Sequence, residues 1–187
     1  EGAFFANRKG NNPILLSVSS RACIAVWRKF SGAPVEQFSR KAMRIPVFVA
    51  GMVSIAGIYW LLVLLGLRRA AVLAALLAAL HPFHIEYSIE ARGYGFVVMG
   101  ASLAVPFALL ALRTNRWRWW IGLGFSFLLM LYAYLGSAYF VATLGAMVAG
   151  YLGVRAWRGQ DKAAWVGLVR LAMVGIVTLS LYLQLGV

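Results

Sequence analysis

The sequence predicts an all-α fold: a polytopic transmembrane bundle of about six spans, preceded by an amphipathic juxtamembrane outer loop. Three observations predict it. Of 187 residues, 63% are hydrophobic and only 12% charged, and the mean hydropathy is +0.81. A soluble domain of this size has no use for so much apolar surface, whereas a set of ~20-residue spans does. The apolar residues also run in long stretches, and basic clusters punctuate every second connection between them. The 18 Lys and Arg against five acids give a net charge of +13, which reads as cytoplasmic-loop charge and headgroup contact rather than nucleic-acid binding. Cys23 is the only cysteine, so no internal disulfide can form. The chain opens EGAFFANRKG, with neither an initiator Met nor a first span, and so reads as a fragment or processed form.

Residues 1–45 form the expected outer-face segment and 46–187 the transmembrane domain. Asn12 and Pro13 suit a helix cap and first turn. Ile14, Leu15, Val18, Ala22 and Val26 then recur at helical spacing, with Arg21, Arg28 and Lys29 outside that stripe, as in a helix lying on a membrane surface. Ser31 to Pro34 breaks it, a short second helix with Val35 and Phe38 on one side follows, and Arg40, Lys41 and Arg44 lead to Pro46. The expected spans run Pro46 to Gly66, Ala70 to Ile85, Tyr94 to Leu112, Trp119 to Leu135, Ala138 to Val154 and Trp165 to Val187. Arg68 and Arg69, then Arg113, Arg116 and Arg118, then Arg155, Arg158 and Lys162 mark the connections expected in the cytoplasm. The leading segment, with eight basic residues of its own, falls on the outer side.

Between two spans lies HPFHIEYSIEARGYG, His81 to Gly95. It holds two histidines, two glutamates and an arginine, and an Arg near the bilayer centre costs about 2.5–3.5 kcal/mol on insertion scales. Such groups belong at an interface, a water-filled recess or a partner. Pro82 should stop or kink the preceding span within a recess. A helix running on from Ile85 would set Ser88 and Arg92 on one face and Glu86, Glu90 and Tyr94 on roughly the opposite one, so at least one face needs a partner from elsewhere. Two readings follow: ion pairs that hold helices together, or a binding site. His81 and His84 are three apart but lack a third donor nearby, which favours a structural role over metal ligation. The tryptophans 117, 119 and 120 read as an interfacial belt, and the glycines and alanines of 142–153 as close helix packing.

The run Pro82-Phe83-His84-Ile85-Glu86-Tyr87-Ser88-Ile89-Glu90-Ala91-Arg92-Gly93-Tyr94 resembles the sP-hhh-YS-x-EAR-x-Y segment of C-superfamily membrane glycosyltransferases. The branch is glycosyltransferase family 39, which includes protein O-mannosyltransferases and aminoarabinose transferases. Asn11-Asn12-Pro13-Ile14-Leu15 is similar to that family's N-N/H-P-L stretch, and Phe30-Ser31-Gly32, Arg44-Ile45-Pro46 and Ala50-Gly51 to the lead-in of its next span. Pro13, and Tyr132 to Tyr134 where many relatives carry Tyr-Thr-His, depart from the pattern.

The resemblance implies an integral protein of a bacterial or archaeal plasma membrane. It would transfer sugar from a polyprenyl-phosphate donor to a protein, lipid or glycan acceptor at the outer face. Arg92, Tyr94, Tyr87, Ser88, His84 and Glu90 would then serve the donor phosphate, with Asn11 and Asn12 in the acceptor loop. The catalytic base would come from an outer-loop acid pair whose second member matches Glu1, with a divalent cation as the natural aid to phosphate binding. A fragment starting at Glu1 is expected to have little activity alone. The competing classes are a non-catalytic membrane subunit or scaffold, for which Arg92 would be satisfied by Glu86, Glu90 or a partner, and a lipid or solute transporter, for which no internal repeat is evident.

Overall fold

The computed structural model describes residues 14–34, 37–90, 92–159 and 161–186. These form eight α-helices: α1 (Ile14–Ser31), α2 (Arg40–Leu64), α3 (Arg68–Leu80), α4 (Pro82–Ile89), α5 (Tyr94–Thr114), α6 (Trp117–Ala133), α7 (Ala138–Gly159) and α8 (Lys162–Gly186), with one 3₁₀ turn, Leu135–Ser137, between α6 and α7. Four helices are long and apolar enough to cross a membrane: α2, α5, α7 with the turn before it, and α8. The bent pair α3–α4 makes a fifth if taken as one span. The expected six become four to five because α3 and α4 are separate short helices and α6 has 17 residues, about 25 Å of rise, at the short limit for spanning.

Short as it is, α6 carries the core. Trp120, Leu123 and Met130 are fully buried; Trp120, Leu123 and Phe127 pack with Ala104, Ala108 and Ala111 of α5, Val148, Leu152 and Ala156 of α7, and Ala164 and Val174 of α8. Small residues on α5 let large ones on α6 seat closely. A Cβ on Gly100 would come within 2.3 Å of Met130 and 3.1 Å of the Ser126 carbonyl, so the α5–α6 crossing depends on that glycine.

Two expectations are corrected. The first span begins at Arg40, not Pro46, because Ser39 caps the helix by accepting the Ala42 N–H at 3.3 Å. Pro46 sits buried within the helix; it has no N–H, so the Ala42 carbonyl loses its helical partner, and the next carbonyl, that of Met43, takes the Ser20 hydroxyl from α1 at 3.0 Å. No short helix forms around Phe38: residues 37–39 are irregular, and Val35 lies outside the described residues. On α1, Leu16 and Ser20 face the bundle, while Val18 and Val26 of the expected apolar stripe stay exposed.

The antiparallel path sorts the charges to two ends. At one end meet the C-terminus of α2, the N-terminus of α3, the α5–α6 turn and the α7–α8 connection, tied by Arg113 donating to the Leu64 carbonyl at 2.8 Å and Asn115 to that of Ala163 at 3.0 Å. Arg68, Arg69, Arg116, Arg118, Arg155, Arg158 and Lys162 gather there. The opposite end holds the α4–α5 break, the α6–α7 turn and the start of α2.

Candidate functional site

Pro82 occupies the first turn of α4, and His81, in extended conformation, ends α3 and precedes α4. The two helices meet at a 61° bend, as the proline predicts. Beyond it α4 climbs along α2 in antiparallel register. His84 Nε2 lies 3.5 Å from Ser54 Oγ, Ser88 sits where a Cβ on Gly51 would approach its Oγ to 2.2 Å, and a Cβ on Gly95 would meet Val47 at 2.7 Å. The seven residues from Ser54 to Val47 correspond to about 10 Å along the helix axis. The seam thus rises from the middle of α2 to one turn short of Arg44.

The helix expected to continue through Glu90 and Arg92 does not do so. α4 stops at Ile89, and Glu90 turns to ψ 130. The Arg92 N–H donates to the Glu90 carbonyl at 2.8 Å, and α5 restarts at Tyr94. Gly95 lets this happen: a side chain there would collide with Val47 and come within 3.1 Å of the Tyr87 carbonyl. The two-faced arrangement of Glu90 and Arg92 on one helix is therefore replaced by a tight turn in which Arg92 Nε stands 3.6 Å from Glu90 Oε2. The Arg92 side chain remains 66% exposed, so the pair is worth only about 0–1 kcal/mol and leaves most of the guanidinium fork open. Glu86 is also exposed, away from Arg92's pairing.

A run of rings borders this turn. Phe83 and Tyr87 stack at 6.4 Å, Tyr87 and Tyr94 approach to 5.5 Å, and Tyr94 and Tyr134 to 5.5 Å. The three tyrosines are each a little over one-third exposed, with one edge packed and the other open. By contrast the Tyr132 hydroxyl is committed to the Leu181 carbonyl at 2.6 Å. Tyr134 was not among the sequence candidates, although α5 and α6 form a hairpin about residues 114–115, and residues equidistant from that turn, such as 94 and 134, must lie at the same height.

Of the remaining candidates, Ser88 and His84 are turned into the bundle. Ser88 is buried and its hydroxyl donates to the His84 carbonyl at 2.6 Å; His84 reaches the buried Ser54, whose hydroxyl donates to the Gly51 carbonyl at 2.7 Å. Both hold α4 on α2. Glu1, Asn11 and Asn12 lie outside the described residues; Leu15 and Leu16, near the start of the described chain, pack with Val47, Ala50, Phe96 and Ala133. Among the described residues no three His, Cys, Asp or Glu side chains are placed to hold a metal ion, so His81 and His84 gain no third donor.

An all-α membrane bundle with an open arginine and half-exposed tyrosines at one end is the class of structure in hand. Residues 24–182 match the family described as dolichyl-phosphate-mannose-protein mannosyltransferase. The match takes in everything from the middle of α1 to near the end of α8, and the chain belongs to this family, a family of membrane glycosyltransferases. The Asn11–Asn12 stretch lies outside the matched residues. No curated protein and no solved structure matches the chain.

Proposed function

We propose that this protein serves the transfer of a sugar from a polyprenyl-phosphate-linked donor to a protein, lipid or glycan acceptor, with the donor phosphate held at the α4–α5 break. One observation carries the reading. The interruption between Ile89 and Tyr94 presents Arg92, largely uncommitted among the described residues, two residues before Tyr94, whose ring meets those of Tyr87 and Tyr134.

The chemistry accounts for each residue type. When the bond between the sugar carbon and the phosphate oxygen breaks, negative charge grows on the departing polyprenyl phosphate. A guanidinium offers two parallel N–H donors to such an oxyanion, and tyrosyl O–H groups add neutral donors with open ring faces. Glu90 fixes the direction of the fork from two residues away. Ser88 and His84 act behind the site, keeping α4 on α2. The proton of the acceptor hydroxyl needs a carboxylate, for which an acid of the leading segment, at or beside Glu1, is the proposed source, with Asn11 and Asn12 in the acceptor loop. Alternating basic connections favour an outer-face position for the break, in the plasma membrane that this reading proposes, and the exposed Val18 and Val26 on α1 suit a helix resting on that surface.

The experiment is donor binding and transfer by Arg92→Lys and Arg92→Ala. Lysine keeps the charge and loses the fork, so both variants should lose at least tenfold in donor affinity with helicity and thermal midpoint unchanged. The Glu90–Arg92 pair favours a second reading, in which the turn is an internal brace of a non-catalytic subunit. That reading predicts that Arg92→Lys and Glu90→Gln lower stability alike and leave donor affinity untouched.

A further inference from the structure

Far from the α4–α5 break, a cleft of about 200 Å³ opens at the basic end of the bundle, where the last turn of α5, α7 and the start of α8 meet. Ala111, Trp120, Leu152 and Ala164, all buried, form its floor. Arg113 of α5 and Arg155 of α7 are exposed and line it from different helices. Two guanidiniums therefore share one cavity, which has room for a group larger than a water.

Neither guanidinium is used up by its neighbours. Arg113 donates through Nη1 to the Leu64 carbonyl at 2.8 Å and has no carboxylate partner among the described residues. Arg155 meets Asp161 through one nitrogen and one oxygen, Nη2 and Oδ2, at 2.5 Å. The other oxygen, Oδ1, accepts the Ala163 N–H at 2.9 Å, so this carboxylate caps α8 and holds Arg155 by a single contact. A guanidinium has five N–H donors, and each of the two keeps most of its own. The other polar side chains of the cleft are committed: the Thr114 hydroxyl donates to the Leu110 carbonyl at 2.8 Å, and Asn115 joins Ala163 to Trp120. Positive charge is what the cleft has left to offer. From Arg113 to Arg170 the sequence holds seven basic residues and one acid, Asp161, so the chain itself leaves most of that charge unbalanced.

We infer that the Arg113–Arg155 cleft binds a phosphate-type oxyanion. Shape selects the class: a tetrahedral group can present separate pairs of oxygens to two forks carried by different helices, whereas a carboxylate matches only one fork. The first turn of α8 takes no part, because Asp161 already accepts the Ala163 N–H there. A phospholipid headgroup on this side of the membrane and a soluble phosphate ester both carry the required group. The donor phosphate proposed above lies at the opposite end of the bundle, so this site stands without that reading.

The test is protection of arginines from phenylglyoxal in the full chain, with modified peptides identified by mass spectrometry. Inorganic phosphate is titrated in neutral detergent, and phosphatidic acid in phosphatidylcholine nanodiscs. Arg113 and Arg155 should be protected at concentrations about tenfold below those that protect Arg116 and Arg158, which are exposed outside the cleft. Protection by phosphatidic acid alone makes a lipid headgroup the source, and protection by inorganic phosphate a soluble ester. Arg113→Gln should raise the phosphate concentration that protects Arg155 about tenfold through loss of one fork. Asp161→Asn should lower it about fivefold, because the amide keeps the cap on α8 and removes the competing charge. Arg113 also ties α5 to α2, so circular dichroism accompanies each variant, and Asp161→Asn, which leaves that tie in place, decides the matter if Arg113→Gln misfolds. No protection by either probe, equal protection of Arg116 and Arg158, or phosphate binding that is unchanged or weaker in Asp161→Asn would each overturn the proposal.

Discussion

At the α5–α6 turn, Asn115 adopts φ 50. It donates to the Ala163 carbonyl, accepts Trp120 Nε1 at 3.1 Å and Arg170 Nη1 at 3.2 Å on its side chain, and receives Arg170 again on its backbone carbonyl. At the α4–α5 break, 21 residues back along α5, Arg92 has a 3.6 Å contact with Glu90 and is otherwise open among the described residues. Both are polar connections in an apolar protein. In the first, every group ties one helix to another, and the result is a closed end that fixes the α5–α6 hairpin against α8. In the second, polar groups have no further partner among the described residues, which suits a group that meets a ligand.

The comparison can be broken by substitutions at each end. The largest loss of stability should come from Asn115→Ala, which removes the side-chain bonds to Ala163, Trp120 and Arg170 and leaves a β-carbon residue in left-handed geometry. At about 0.5–1.5 kcal/mol per bond, the cost should be about 2–4 kcal/mol in thermal or denaturant unfolding, with Asn115→Gly recovering only the backbone part. Gly51→Val should come next, at about 1–3 kcal/mol, because its side chain collides with Ser88. It should also lower donor binding by moving α4, whereas Gly150→Val, with nothing within 4 Å, should stay within about 0.5 kcal/mol.

Smaller still, Arg92→Ala should change unfolding stability by less than about 0.5 kcal/mol. A loss like that of Asn115→Ala would make the two ends alike. The smallest effect belongs to Asp161, between α7 and α8. Burial tends to raise its carboxyl, but the Ala163 N–H and the Arg155 guanidinium prevail and hold it below its usual range. A depressed carboxyl contributes stability that is present above its unfolded pKa, about 3.9, and is lost as pH falls through the lower folded value. Asp161→Asn should therefore remove a slight acid dependence below about pH 4 and lower neutral-pH stability by the same small amount.

Much of this contrast was readable in the sequence, for reasons that can be named. Apolar runs and basic connections gave the helices and their alternation, and Pro82 gave the bend, because a missing N–H acts locally. The stop at Ile89 was not readable: nothing in Glu90-Ala91-Arg92 opposes a helix, and the turn exists because Gly95 can press against Val47 of a helix 48 residues away in the chain. Ser39 is a local cap signal seven residues ahead of the expected start at Pro46. The count of spans suffered because α6 is a complete helix of only 17 residues. At the site, Tyr87 and Tyr94 lie ring to ring with Arg92 two residues away in the chain, whereas Ser88 and His84 face α2, since which side of α4 meets α2 depends on Gly51 and Ser54. Tyr134 joined the ring series through the hairpin geometry.

The most direct measurement is to map where a photoreactive polyprenyl-phosphate sugar attaches to the protein in a bilayer, with peptides identified by mass spectrometry. The account predicts labelling at the α4–α5 break and at Tyr134, competed by unlabelled donor and lost in Arg92→Ala. Labelling concentrated at the α5–α6 turn, or at the break with no dependence on Arg92, would contradict it.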